Sequence, residues 1–456
     1  MKEKRKVAAI LIVLFLFVVM TACTPSGEDS SQEKSSSAST SGALAETSEK
    51  KDWTKEDITL SIIHEHTKET AETVASTRMY LRVQDEFAAK YPNVTLNVTA
   101  LGSSEVFERL SVLAASDELP DVVYLNGAVF DAVKKDKMLL DVSDYFDRSF
   151  YRDNLNTFSY EGAVYGVPIK YTTYNYVYYN ADMWKEAGYE EFPKTWDEML
   201  KADKYFKGKG VPTIIYGNKL PFFSMTSYFN AMVHEVCGSD WVDSINAMDG
   251  KAAFTDDSLV EALEKLGTLL PLWNPDFVSA DDQWAVAELA KGNASAHISG
   301  SWVANSIISY EEKYPGISDT IRVAAVPTFS GKEPTIDYAV PQGFALNVKV
   351  ADNEMKKQAA IAFLQMLGTD KYSKYMAEIG EMGPVEADVD LTGLKQMQQD
   401  MFDVMNSHKN VPHITAKLDS SVFNAFTSAI PSYLSGSITA KECAADVQRA
   451  YEAQKP

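Results

Sequence analysis

Ile58, Leu60 and Ile62 are separated by polar residues, the period of a half-buried strand. From Arg78 the period lengthens. Tyr80, Val83, Phe87 and Tyr91 recur at spacings of three and four, which predicts a helix that runs to Lys90 and stops before Pro92. Val94, Leu96 and Val98 alternate again as a second strand. Gly102, Ser103 and Ser104 form a turn and a helix start, and Val106, Leu110 and Leu113 make the stripe of that helix. After Pro120, residues 121–125 read as a short, buried strand. Strand, helix, strand, helix, strand predicts a parallel α/β sheet. Functional loops in such sheets lie at the carboxyl ends of the strands, here 64–66, 102–104 and 126–127.

Gly166, Val167, Pro168 and Ile169 interrupt this order. Residues 171–180 form an aromatic, β-prone run in which Tyr176 and Tyr178 read as strand core. Helices are predicted over 182–188 and 195–207, the second with Thr195 as N-cap and Glu198 at the capping-box position. A strand returns near 294–298, and Gly300, Ser301 and Trp302 lead into a helix. Strands follow at 321–326 and 343–350. A helix from Glu354 is marked by Ala360, Phe363, Leu364 and Leu367. The remainder reads as mostly helical, interrupted at Gly383 and Pro384, at Pro412 and at Pro431.

The amino terminus has a different pattern. Lys2, Lys4, Arg5 and Lys6 precede an uncharged apolar run over 7–20, and Ala22 stands directly before Cys23. This is the anatomy of an export signal, and the run is shorter than the ~20 residues that span a bilayer. Residues 20–23 resemble a bacterial lipobox, although Met20 stands where leucine is usual. The resemblance implies acylation, such as palmitate, at Cys23 and a lipoprotein held at the extracytoplasmic face of the cell membrane. Residues 24–49 contain no aromatic and one leucine. Too little apolar surface is available to offset ordering, so a disordered linker is predicted over 24–54.

The formal net charge is -21, and because residues 1–23 carry +3, the rest carries -24. That charge excludes nucleic acid, which needs clustered Lys and Arg. Cys237 and Cys443 lie far apart in sequence, so whether they pair is left open. No nucleophile elbow, zinc-protease, P-loop or dinucleotide motif is present. His64 and His66 flank Glu65 on one side of a strand end. A hydrogen-bonding role is favoured over metal binding there, since no ligand cluster accompanies them. Carboxylates are too numerous for sequence to single out a hydrolytic pair. The aromatic residues are more telling. Tyr171, Tyr174, Phe222, Phe223, Trp284, Trp302, Tyr338 and Phe344 sit near predicted turns and strand ends. Rings there can pack on the C–H faces of sugars, while for most of them core packing is the competing role.

Several segments together resemble the family 1 extracellular solute-binding proteins of bacterial ABC importers, the group that includes maltose-binding protein. These are 58–66 (ITLSIIHEH), 87–92 (FAAKYP), 117–126 (DELPDVVYLN), 161–180 (EGAVYGVPIKYTTYNYVYYN), 193–198 (PKTWDE) and 291–302 (KGNASAHISGSW), with Pro327 and 343–347. The resemblance implies a periplasmic-binding-protein-like type II fold: two α/β lobes joined by a hinge, with the ligand cleft between them. It places lobe 1 at 55–170 and 298–347, lobe 2 at 172–297 and 350–456, and hinges at 168–173, 296–299 and 347–351. It implies a monomeric receptor without enzymatic activity or cofactor, which takes a sugar or oligosaccharide to the membrane subunits of a permease. The same fold with a non-sugar solute, such as a polyamine or an iron complex, is the alternative. The ligand positions it implies are His64, Glu65, His66, Ser103, Asn126, Thr173, Tyr174, Phe222, Phe223, Trp302, Tyr338, Gln342 and Gly343. Leu125 and Thr173 depart from residues found in some maltose binders, so the sugar need not be maltose.

Overall fold

A computed structural model describes residues 52–147 and 154–454. The expected signal, Cys23 and nearly all of the linker lie outside the described residues. In chain order the strands are β1 (Ile58–His64), β2 (Val94–Ala100), β3 (Val122–Leu125), β4 (Ser159–Tyr160), β5 (Ala163–Val164), β6 (Gly166–Pro168), β7 (Thr172–Thr173), β8 (Tyr176–Asn180), β9 (Ala296–Ser299), β10 (Ile321–Ala325), β11 (Thr335–Ala339), β12 (Gly343–Leu346) and β13 (Lys409–Pro412).

The first sheet has the order β2-β1-β3-β12-β6. Its β1–β2 and β1–β3 pairs are parallel, as the alternation of strands and helices predicts, and β12 is antiparallel to both β3 and β6. The helices Ala75–Lys90 and Ser103–Ala115 supply its cover. Buried Tyr80, Val83 and Phe87 lie at the spacings read from the sequence. Two smaller sheets build the second body, β10-β8-β9 and β13-β11-β7. The period of two in β8 divides its side chains between two cores. Val177 packs with Trp184 and Phe229, whereas Tyr176 and Tyr178 pack with Ile307, Ile321 and Met401. Thr195 and Glu198 form the expected capping box at the start of the helix Trp196–Gly208.

The expected lobe boundaries are corrected by these cores. The return to lobe 1 expected at 296–299 does not occur. Val303, Ala304 and Ile307 pack beside Tyr176 and Tyr178, and β10 pairs antiparallel with β8, so 300–339 belongs with the second body, while Val340 already lies in the core of the first sheet. The helix Glu354–Leu367 goes the other way. Ala360, Phe363, Leu364 and Leu367 are buried in the core of the first sheet, as are Tyr372 and Met376. The chain therefore crosses between β6 and β7, between β11 and β12, and over 378–395, after which Met397 and Met401 enter the second body. Tyr171, Ala377, Phe402 and Met405 form a small cluster beside these crossings.

Pro431 does not interrupt its helix, which runs Ser420–Leu434. A proline inside a helix costs about 3 kcal/mol. Val422, Phe426, Ile430 and Leu434 are buried along one face, and at roughly 1.5–3 kcal/mol each their burial outweighs that cost. The amino end of this helix meets the other lobe. The Ser420 N–H donates to Asp131 Oδ2 (3.1 Å), and Lys134 Nζ lies 2.5 Å from Asp131 Oδ1 and 3.5 Å from Asp419 Oδ1. Cys237 and Cys443 are free thiols, pushed up to about 11 and about 12 by burial. Among the described residues no helix is long and apolar enough to cross a membrane.

Candidate functional site

The carboxyl end of β1 carries the first group of expected residues. Ile58, Leu60, Ile62 and His64 form the buried side of this strand, so His64 points into the lobe and is fully buried. The His66 N–H donates to His64 Nδ1 (3.2 Å), which leaves Nε2 to donate to Gln84 Oε1 (3.2 Å). Burial pushes His64 down to about 4, in keeping with a neutral ring. His64 is therefore a structural histidine in this conformation, and the expectation that it faces ligand is corrected. His66 also stays neutral, held well below the usual range by burial first and by His64 and Lys170 after it. Its ring lies 4.3 Å from Tyr80 and 5.4 Å from Tyr124. Its Nδ1 meets Thr77 Oγ1 at 3.2 Å, while its Nε2 and the Tyr80 hydroxyl are buried without a hydrogen-bond partner. Glu65 accepts from the Tyr124 hydroxyl (2.9 Å).

Asn126 follows β3 and caps the helix Gly127–Val133, with its Oδ1 accepting from the Val129 N–H (2.9 Å). Ser103 opens the helix Ser103–Ala115, and its side chain lies outside the described residues. Gly343 is placed inside β12, paired with both Leu125 and Pro168. A side chain there would meet the Phe158 ring and the Val167 carbonyl at 2.6 Å. Its role is close strand packing, which corrects the expectation of a ligand contact. Gln342 accepts from the Ile169 N–H through its carbonyl (3.3 Å) and stays partly exposed.

On the second body the aromatic residues gather. Tyr174 meets Trp302 edge to face at 5.7 Å, Phe223 lies 6.1 Å from Trp302, and Phe222 lies 4.1 Å from Phe223. Phe223 is buried within the core, so Phe222, Tyr174 and the half-buried Trp302 are the members of this wall that reach the surface. The Trp302 ring lies back across Gly300, where any side chain would collide with it. The Ser301 N–H donates to Thr173 O (3.0 Å), which ties this segment to the first crossing. Thr173 itself is fully buried, with its side chain beside the Tyr176 hydroxyl. Tyr338 pairs with Thr173 across β11 and β7 and stacks on Tyr171 at 4.7 Å.

Sequence reasoning missed the polar groups at the crossings. The Asn305 amide donates to Glu381 Oε1 (3.2 Å), bridging the second body to the third crossing. Lys170 is close enough for its charge to act on both His66 and Glu381. Burial nonetheless pushes Glu381 up, and it pushes Asp337 well above the usual range, although the Asn230 amide beside Asp337 acts in the opposite direction. A cavity of about 90 Å³ lined by Tyr171, Glu381, Met382 and Phe402 adjoins them. No pattern in the sequence marks these residues, because they come from segments far apart in the chain.

The profile of a family described as bacterial extracellular solute-binding proteins matches residues 83–402. An uncharacterized ABC transporter extracellular-binding protein of Pyrococcus horikoshii is 24% identical over 78% of this chain and 79% of its own length. A lactose-binding protein of Rhizobium radiobacter is 23% identical over 66% of this chain and 71% of its own. Among solved structures, a chitin oligosaccharide binding protein superposes with a TM-score of 0.74 at 19% identity, covering 87% of this chain and 98% of the other. A maltose-bound protein of T. maritima reaches 0.69 at 16% identity, over 87% and 100% of the two chains.

Proposed function

Since the chain belongs to the bacterial extracellular solute-binding proteins, we propose that it is the sugar-capturing receptor of an ABC importer, with an oligosaccharide held between its lobes. The observation that carries this reading is the indole of Trp302, clamped between Tyr174 and Phe223 beside the first crossing. A fixed, half-buried aromatic face suits the apolar face of a pyranose. Across the crossings, His66 Nε2 and the Tyr80 hydroxyl have unmet hydrogen-bonding capacity, and a sugar hydroxyl can both donate and accept. Glu65, His66, Asn126, Tyr174, Phe222, Trp302 and Gln342 form the ligand set of this proposal, with Tyr338 behind them at the hinge. Relatives named for lactose, arabinooligosaccharide and diacetylchitobiose binding support the sugar class.

A polyamine is disfavoured because burial holds Asp337 and Glu381 toward their neutral forms. The family and these relatives are binding proteins of transporters rather than enzymes. Lobe closure about the three crossings would trap the ligand by its higher affinity for the closed form. Acylation of Cys23 would keep the receptor, acting as a monomer, near its permease, with 24–54 as the tether.

Intrinsic tryptophan fluorescence of the purified protein, titrated with mono- and oligosaccharides and with spermidine, tests this reading. A saturable change with a sugar, with no product formed, is expected. A response to spermidine alone, or none to any sugar from folded protein, would overturn it.

A further inference from the structure

His297 occupies β9, a strand whose four residues are all buried. Alternation sends Ala296 and Ile298 into the core of the second body and His297 to the opposite side. The ring is fully buried, and both nitrogens face oxygen: Nδ1 lies 2.9 Å from Ile215 O and Nε2 lies 3.1 Å from Asp282 Oδ1. A carbonyl oxygen can only accept, so Nδ1 must carry a proton. A neutral imidazole would then turn a bare Nε2 toward a carboxylate. One more proton must lie between Nε2 and Oδ1.

The surroundings say which side holds it. Asp282 also accepts from the Ser299 hydroxyl at Oδ1 (3.2 Å) and from the Trp302 indole N–H at Oδ2 (3.4 Å). Hydrogen bonds donated to a carboxylate favour its ionised form. The other titratable groups whose interactions reach Asp282 are the phenols of Tyr178, Tyr216 and Tyr228, all pushed up by burial and therefore neutral. No second cation is among them. We infer that His297 is an imidazolium locked to an ionised Asp282, and that this buried pair is the positioning device for the Trp302 indole in the ligand cleft. This rests on the sugar-receptor reading only for its last clause; the protonation follows from the hydrogen bonds alone.

Such a device has a use. Removing one partner of a buried pair strands the other charge, so the pair resists rearrangement. It anchors Asp282 at the start of the helix Asp282–Ala290, and Asp282 in turn holds the indole N–H. Trp302 is then fixed in orientation before ligand arrives, which lowers the ordering cost of binding. His297 and Asp282 are positioning residues and touch no ligand themselves.

The test is nitrogen-15 NMR of the ligand-free protein at neutral pH, with His297→Gln and Trp302→Phe used to assign the signals. The expected result is two protonated ring nitrogens at His297 and an indole N–H of Trp302 that moves in Asp282→Asn. One protonated and one bare nitrogen in the native protein overturns the inference, whether or not any sugar binds. The second readout is calorimetry with maltotriose, a chitooligosaccharide and a xylooligosaccharide. For whichever binds, affinity should fall about tenfold in Asp282→Asn and in His297→Gln with its stoichiometry kept. Unchanged affinity with an unmoved indole signal overturns the positioning role. Failure of all three sugars with the native protein, alongside the expected ring signals, counts against the receptor reading and leaves the imidazolium standing.

Discussion

Replacing His64 by glutamine should make the protein less sensitive to mild acid. The native ring is fully buried and pushed down to about 4 by that burial, while an unfolded histidine titrates near 6.5. A group whose folded pKa is depressed in this way binds a proton only on unfolding. Its stabilising effect is complete above the unfolded value and is lost as pH falls through the window from about 6.5 to about 4. At pH 5 the loss from His64 alone is about 2 kcal/mol, at roughly 1.4 kcal/mol per pH unit below 6.5. Asp337 and Glu381 have the opposite sign, because their raised values make folding take up protons. The total pH dependence therefore mixes both effects, and the difference between native and His64→Gln isolates one. Urea unfolding at neutral pH and at about pH 5 should show the native protein losing about 2 kcal/mol more than the variant. Glutamine also gives up the contacts to Gln84 and to the His66 N–H, so some stability is lost at both pH values. That offset does not enter the slope. Equal slopes would refute the neutral, buried assignment of His64 and return it to the list of ligand groups.

Two further substitutions probe the cleft and the lobe contact. Gly300→Ala places a methyl group where the Trp302 ring now lies. Tryptophan emission should shift, and affinity for the bound sugar should drop about tenfold, near 1.4 kcal/mol, in a fluorescence titration; unchanged binding would mean that the ring position is immaterial. Asp131→Asn weakens the carboxylate that accepts from the Ser420 N–H and pairs with Lys134. About 1 kcal/mol of lobe contact should be lost. Small-angle X-ray scattering of the ligand-free protein should then report a larger radius of gyration, whereas an identical profile would mean that the clasp does not hold the lobes.

Local order was legible wherever one period ran uninterrupted. The alternation from Ile58, the stripe Tyr80–Val83–Phe87 and the capping box at Thr195 and Glu198 each predict an element that the structure contains. Partner choice was not legible. β10 reads as a strand in the sequence, but nothing in its residues says that it pairs with β8 rather than with the first sheet. The same gap displaced two of the three hinges, because helix stripes such as Phe363, Leu364 and Leu367 do not name the sheet they cover. At the candidate site, Trp302 and Tyr174 can be singled out in the sequence because an aromatic near a strand end is conspicuous. His64 was misplaced because the loop reading overrode the inward phase of its own strand. Asp282 and His297 escaped notice, although a histidine in the otherwise small and apolar run of β9 was a usable signal.

The placement of β12 bears on how this chain is made. The strand fills the gap between β3 and β6, where Gly343 joins Leu125 on one side and Pro168 on the other. Synthesis from the end of β3 to the start of β12 takes on the order of 10–40 s at ordinary rates. Throughout that interval the first sheet lacks the strand that would close its centre, and the core beneath it lacks Phe363, Leu364 and Leu367. Pairing at such sequence separation is intrinsically slow. The topology of this chain thus delays closure of its first sheet until about three quarters of the residues have been made.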